Sequence, residues 1–183
     1  MSYFPLFVEL EGCPALVVGG GRVALGKARR LRSFGARVRC VKRRFRPADL
    51  RGARLVVAAT NDPAVNKQVS RLARRRGIPV NVVDQPALCS FVFPSVVRRG
   101  RLVLAVSTGG ASPALAKWIR KDLQRRYGPE FGRSLARMAR VRKQVMGGGV
   151  SPRRRKKIFE EALGAYLRVI KRGRVDLAPG RRA

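Results

Sequence analysis

The sequence predicts an α/β protein, a parallel sheet flanked by helices and followed by a helical region. Three observations predict it. A short apolar strand, residues 15–18, runs directly into Gly19, Gly20 and Gly21 and then into a helical pattern. Further short apolar runs alternate with helical stretches through the first two-thirds of the chain, as expected of parallel strands joined by helical crossovers. Beyond Ser112 the apolar spacing is helical.

The first strand and its glycines are the most specific feature. Gly19, Gly21 and Ala24 fill the three positions of the dinucleotide fingerprint G-x-G-x-x-G/A. Gly19 permits a tight strand-to-helix turn, Gly21 leaves room for a pyrophosphate, and Ala24 keeps helix and strand close. Free N–H groups at the helix start, around Arg22 and Val23, favour phosphate charge. The sheet domain is therefore expected to be Rossmann-like.

The first helix runs from about residue 22 to 34, with Ala24, Ala28 and Leu31 on one face and Gly35 as its stop. The second strand is 37–41 and the third 55–59. Thr60, Asn61 and Asp62 then lead into Pro63, which suits the first position of a helix capped by Asp62. That helix carries Val65, Val69, Leu72 and Ala73 on one side and reaches about Arg76. A strand at 80–83 ends at Asp84, and residues 90–97 and 102–107 read as two more strands joined by a turn. Ser112 and Pro113 start a helix with Ala114, Leu115, Trp118, Ile119 and Leu123 at helical spacing. Phe131, Leu135, Met138, Val141 and Val145 make a second stripe, broken at Gly147 to Gly149. Ser151 and Pro152 restart a helix with Phe159, Leu163, Tyr166, Leu167 and Ile170, and residues 172–183 read as a frayed tail. The stripes suit core or dimer contacts. The expected domains are 1–106, nucleotide-binding, and 107–183, helical.

Composition narrows the function. The chain has 183 residues, 42 Lys and Arg against 10 Asp and Glu, and a formal net charge of +32. Such charge suits an anionic partner, a polycarboxylate or, non-specifically, nucleic acid; it also suits a merely solvated arginine-rich surface. There is no histidine, which excludes histidine acid–base catalysis and histidine metal ligands. Cys13, Cys40 and Cys89 fit no zinc or disulfide spacing. No apolar run approaches the ~20 residues of a membrane span, and the N-terminus does not read as a secretory signal. A cytoplasmic location is expected.

Several motifs in order carry a family resemblance. They are Tyr-Phe-Pro-Leu-Phe at 3–7, Val-Val-Gly-Gly-Gly-Arg-Val-Ala with Lys27 at 17–27, and Ala-Ala-Thr-Asn-Asp at 58–62 with Asn66. Asn-Val-Val-Asp at 81–84, then Phe91, Pro94 and Ser95, and Ser-Thr-Gly-Gly-Ala-Ser-Pro at 107–113 follow. In these the chain resembles the precorrin-2 dehydrogenase and sirohydrochlorin ferrochelatase family, the N-terminal module of siroheme synthase. The resemblance implies oxidation of precorrin-2, a tetrapyrrole with eight carboxylates, to sirohydrochlorin with NAD. It also implies a homodimer and, for some members, insertion of ferrous iron.

Such an oxidation needs a base. Asp62 and Asp84 are the carboxylates at the ends of sheet strands, where open α/β sheets bind ligands. Asp62 reads as a helix cap; no helix starts after Asp84, and the resemblance places a key aspartate there, so Asp84 is the expected catalytic residue. Thr60, Asn61 and Asn81 either line the cleft or serve as strand-end hydrogen bonders. Ser107, Thr108, Gly109 and Gly110 either offer groups to a substrate carboxylate or simply form a polar loop before a helix.

The chain departs from the family between residues 41 and 55, where relatives place a further helix and strand. The loss is expected at a sheet edge, leaving the second strand exposed. Lys42, Arg43 and Arg44 stand where an acidic residue would meet the adenosine ribose, so NADP is an alternative to NAD, and a solvated linker a third reading. A chelatase using Asp84, or a basic non-catalytic nucleotide or nucleic-acid binder, are the competing functions.

Overall fold

The structure, a computed structural model, describes residues 3–172. The chain divides into two compact units, Met1–Phe93 and Pro94–Ala183.

The first unit is built on a four-stranded parallel sheet. Its strands are β1 (Pro14–Val18), β2 (Arg37–Val41), β3 (Leu55–Ala58) and β4 (Val80–Val82), in the order β2-β1-β3-β4. Helix α1 (Arg22–Arg32) joins β1 to β2, and α2 (Pro63–Arg75) joins β3 to β4. The central strands are apolar on both faces, as covered parallel strands must be. Leu16, Val18, Val56 and Ala58 join one buried cluster with Val69 and Ala73 of α2. Ala15, Val17 and Val57 join the other with Ala24, Ala28 and Leu31 of α1. Each helix thus covers its own face of the sheet.

As expected, β2 is an edge strand, pairing only with β1, and its residues alternate between exposed and half-buried until Val41. The link from β2 to β3 contains only a 3-10 turn, Pro47–Leu50. Phe45 and Leu50, 6% and 1% exposed, pack into the α2-side cluster with Val41 and Val56. Two side chains therefore seal the sheet where a crossover helix is missing.

The second unit starts with an antiparallel pair, β5 (Ser95–Arg99) and β6 (Leu102–Val106), which joins no strand of the parallel sheet. By its apolar run residues 90–97 read as one strand, whereas β5 begins at Ser95. Pro94, which has no N–H to donate to a ladder, separates β5 from residues 90–93, and Ser90 is instead tied to β4: its hydroxyl accepts from the Val80 N–H at 2.8 Å. Helices α3 (Pro113–Arg126), α4 (Pro129–Gly147) and α5 (Pro152–Arg172) follow. Arg99 donates to the carbonyls of Tyr127 at 3.0 Å and Gln124 at 3.2 Å, closing the end of α3. Edge-to-face rings, Tyr127 on Phe131 and Phe131 on Tyr166, link α4 to its neighbours. The tail expected to fray lies, beyond Arg172, outside the described residues. No helix among the described residues is long and apolar enough to cross a membrane.

Candidate functional site

The carboxyl ends of the parallel strands are laced together by backbone bonds. The Gly19 N–H donates to Val41 at 2.9 Å, Ala59 N–H to Val18 at 2.8 Å and Val83 N–H to Ala58 at 3.0 Å. This staggered row forms a floor with the glycine turn over β1 and Asp84 just past β4. Two strand spacings, roughly 10 Å, separate the two lanes.

The glycine turn has the form its sequence requires. Gly19 adopts φ +130, and a side chain there would strike the carbonyl of Ala59 and approach the Cβ of Ala24 to 3.3 Å. Gly21 is the N-cap of α1, and nothing lies within 4 Å of where its Cβ would stand. The first turn of α1 contains no acidic residue and no side chain caps it. Its leading N–H groups, including those of Arg22 and Val23, have no intrahelical acceptor by construction. A glycine cradle open above Gly21, on an uncapped helix start, suits a pyrophosphate.

Asp84 is the one described non-glycine residue with positive φ, at +58. That left-handed backbone is unfavourable for most side chains and is tolerated best by Asn and Asp. The turn is braced by its surroundings. The Cys89 sulfur accepts from the Val82 N–H at 3.1 Å, and Asn81 donates to the carbonyl of Phe91 at 3.0 Å. Cys89 is thus a hydrogen-bonding strut. The Asp84 carboxylate is exposed.

The other candidate residues are placed as follows. Thr60 is locked to Asn66: its hydroxyl lies 2.8 Å from Asn66 Oδ1, and the Asn66 amide donates to the Thr60 carbonyl at 3.0 Å. Asn61 is exposed between Thr60 and Asp62. Asp62 is a helix cap, accepting from Ala64 and Val65 at 2.8 and 3.2 Å. Asn81 is 7% exposed and points its amide at Phe91. Ser107 to Gly110 lie in the second unit, between β6 and α3. There the Ser107 hydroxyl accepts from Gly109 N–H at 3.2 Å, Thr108 bonds Ser112, and Gly109 and Gly110 take φ +62 and +91.

Sequence reasoning assigned no role to Lys27 and Phe93. Lys27 of α1 lays its ammonium 4.3 Å from the centre of the Phe93 ring. Burial first, then the neighbouring Arg30, lowers its pKa, against an opposing pull from Asp84. Lys27 therefore feels the field of the candidate base. Its presence in the glycine motif was the available signal.

The chain is similar to known proteins in sequence and fold. A family model described as putative NAD(P)-binding matches residues 6–45 and 37–95, and one described as sirohaem biosynthesis protein central matches residues 99–126. The first is laid down in two pieces that overlap at 37–45, beside the short β2–β3 link. The siroheme synthase of Pseudomonas entomophila (strain L48) is 45% identical over 165 residues, 79% of this chain and 36% of that protein. That of Pseudomonas fluorescens (strain SBW25) is 42% identical over 181 residues, 88% of this chain and 39% of that protein. The chain thus spans less than two-fifths of the length of these relatives. Among solved structures, SirC, a precorrin-2 dehydrogenase, superposes with a TM-score of 0.73 at 26% identity, covering 93% of this chain and 100% of that one.

Proposed function

We propose that this chain, which belongs to the family of siroheme synthase and precorrin-2 dehydrogenase, oxidises precorrin-2 to sirohydrochlorin with a nicotinamide dinucleotide. One observation supports this above the others. The glycine cradle and Asp84 stand on the same carboxyl edge of one parallel sheet, where such sheets hold ligands.

The reaction removes one hydride and one proton. When bound, the dinucleotide supplies the two-electron acceptor. The chain does the rest. Gly19, Gly20 and Gly21 let the backbone close on the pyrophosphate, and the N–H groups of Arg22 and Val23 hold it. Thr60, fixed by Asn66, and the exposed Asn61 border the dinucleotide from the end of β3, and Asn81 acts by bracing the turn beyond β4. Asp84 takes the proton that leaves as the hydride departs. Of the loop Ser107, Thr108, Gly109 and Gly110, the Ser107 hydroxyl and the Gly110 N–H offer donors to a substrate carboxylate, while Thr108 and Gly109 hold the loop's shape through Ser112 and Ser107. The choice between NAD and NADP lies with the residues at the end of β2.

The chain works in the cytoplasm as a homodimer. Exposed apolar residues of the second unit support the dimer: Leu115 and Trp118 on α3 are 48% and 62% exposed.

The Asp84→Ala variant separates an enzyme from a nucleotide-binding module. The proposal expects reduced dinucleotide to bind it as it binds wild type, by fluorescence titration, while precorrin-2 turnover is lost. Retained turnover removes Asp84 from the chemistry.

A further inference from the structure

Dinucleotide-binding sheets choose between NAD and NADP one strand away from the glycine turn, about 20 residues after it: a carboxylate accepts from the ribose hydroxyls of NAD, and a cation takes the 2′-phosphate of NADP. In this chain that place is the end of β2. The Val41 carbonyl receives the Gly19 N–H at 2.9 Å, so Lys42, the next residue, stands against the glycine turn. Its Cγ, Cβ and Cδ lie 3.3, 3.4 and 3.7 Å from where a side chain on Gly20 would begin.

Among the described residues, no carboxylate is free to take the ribose there. Asp49, brought back by the 3-10 turn, is 5% exposed. Its oxygens accept from Arg43 at 2.6 and 3.1 Å and from the Arg46 N–H at 2.8 Å, with an Arg39 nitrogen 3.7 Å away. This cluster occupies the acid and pairs Arg43 and Arg39 with it, although both arginine side chains stay about half exposed. Lys42 and Arg44 remain, both exposed. Neither has an ion-pair partner among the described residues.

We infer that the site takes a 2′-phosphorylated dinucleotide in preference to NAD, with Lys42 against the glycine turn as the main phosphate partner and Arg44 as the second. The inference rests on the reading of the glycine turn as a dinucleotide site. It assigns the shortened β2–β3 link a function. By folding Asp49 onto Arg43, the link leaves a cationic strand end in place of an acidic one.

Titration of the full chain with NADPH and with NADH, followed by nicotinamide fluorescence at 0.15 M salt, tests it. Wild type is expected to bind NADPH about tenfold more tightly, the size of one charge-assisted hydrogen bond. Lys42→Ala should abolish most of that ratio by weakening NADPH while leaving NADH within about twofold, and Lys42→Arg should restore it. Because the chain is so basic, 2′,5′-ADP and 3′,5′-ADP, equal in charge, are compared by calorimetry; the 2′-isomer should bind more tightly. Equal or tighter binding of NADH, or equal weakening of both dinucleotides in Lys42→Ala, overturns the inference. Failure of both dinucleotides to bind a folded chain overturns the glycine-turn reading itself.

Discussion

Arg43 lays two guanidinium nitrogens on the two carboxylate oxygens of Asp49, at 2.6 and 3.1 Å, and so ties the end of β2 to the turn that leads into β3. The pair is bidentate and one-sidedly buried, since Asp49 is 5% and the Arg43 side chain 55% exposed. It fixes a link whose helical content is the 3-10 turn Pro47–Leu50. The hydrogen bond from Arg43, followed by the Arg46 N–H and the two arginine charges, holds the Asp49 pKa below its ordinary value against the opposing effect of burial.

A pH dependence of stability follows. A carboxylate whose pKa is lowered by folding binds fewer protons in the native state than in the unfolded one, so stability rises with pH between the two values. The Asp49 contribution is full above the unfolded pKa near ~3.9 and is lost as pH falls through the lower folded value. Asp49→Asn should lower the thermal midpoint relative to wild type at pH 5–7, and the gap should close below about pH 4. At neutral pH the expected loss is about 1.5–3 kcal/mol, that of charge-assisted hydrogen bonds, read by denaturant unfolding. A gap independent of pH would contradict the assignment.

Asp84 should show a conflict between stability and function. Its φ of +58 favours glycine, so Asp84→Gly should match or exceed wild-type stability, by up to about 1 kcal/mol. Its turnover should fall by about 10²–10⁴, the range of a lost general base. Chemical denaturation and anaerobic single-turnover kinetics on the same preparation check both halves. A stabilised and fully active variant would remove the Asp84 carboxylate from the chemistry.

Gly19→Ala should fail for a steric reason. The methyl would meet the carbonyl of Ala59, and the backbone is at φ +130. The expected result is a loss of stability of about 1–3 kcal/mol together with loss of reduced-dinucleotide binding in fluorescence titration. Gly21→Ala meets no protein atom within 4 Å. It should keep its thermal midpoint and still lose affinity, because the methyl occupies the space offered to the pyrophosphate.

Trp118 tests the dimer. With 62% of its surface exposed on α3, Trp118→Glu should convert a dimer to a monomer in sedimentation equilibrium without altering the circular dichroism of the sheet domain. A wild-type monomer would leave the exposed stripe unexplained by self-association.

Much of the first unit was legible because its signals are local. The run into Gly19 to Gly21 carries its own turn, and Pro63 after Asp62 carries its own cap. The limits appear where a partner is distant in sequence. A polar residue at a strand end can face a ligand or the protein, and only the fold shows Asn81 reaching Phe91 and Thr60 gripped by Asn66. Residues 90–97 are apolar enough for one strand, yet Pro94 and the Ser90–Val80 contact divide them. Lys42, Arg43 and Arg44 are three adjacent exposed cations; the fold pairs the middle one with Asp49 and leaves its neighbours without an ion-pair partner among the described residues. The left-handed backbone at Asp84 had no local signal beyond the residue type.

The central claim is that a chain with a shortened sheet edge still carries out the oxidation. The most direct measurement is anaerobic. Purified chain is mixed with precorrin-2 and either NAD or NADP, and absorbance is followed for sirohydrochlorin and for reduced dinucleotide. The account predicts that the two appear in equal amounts, with the 2′-phosphorylated form the better acceptor. A folded chain that produces neither with either dinucleotide would contradict it.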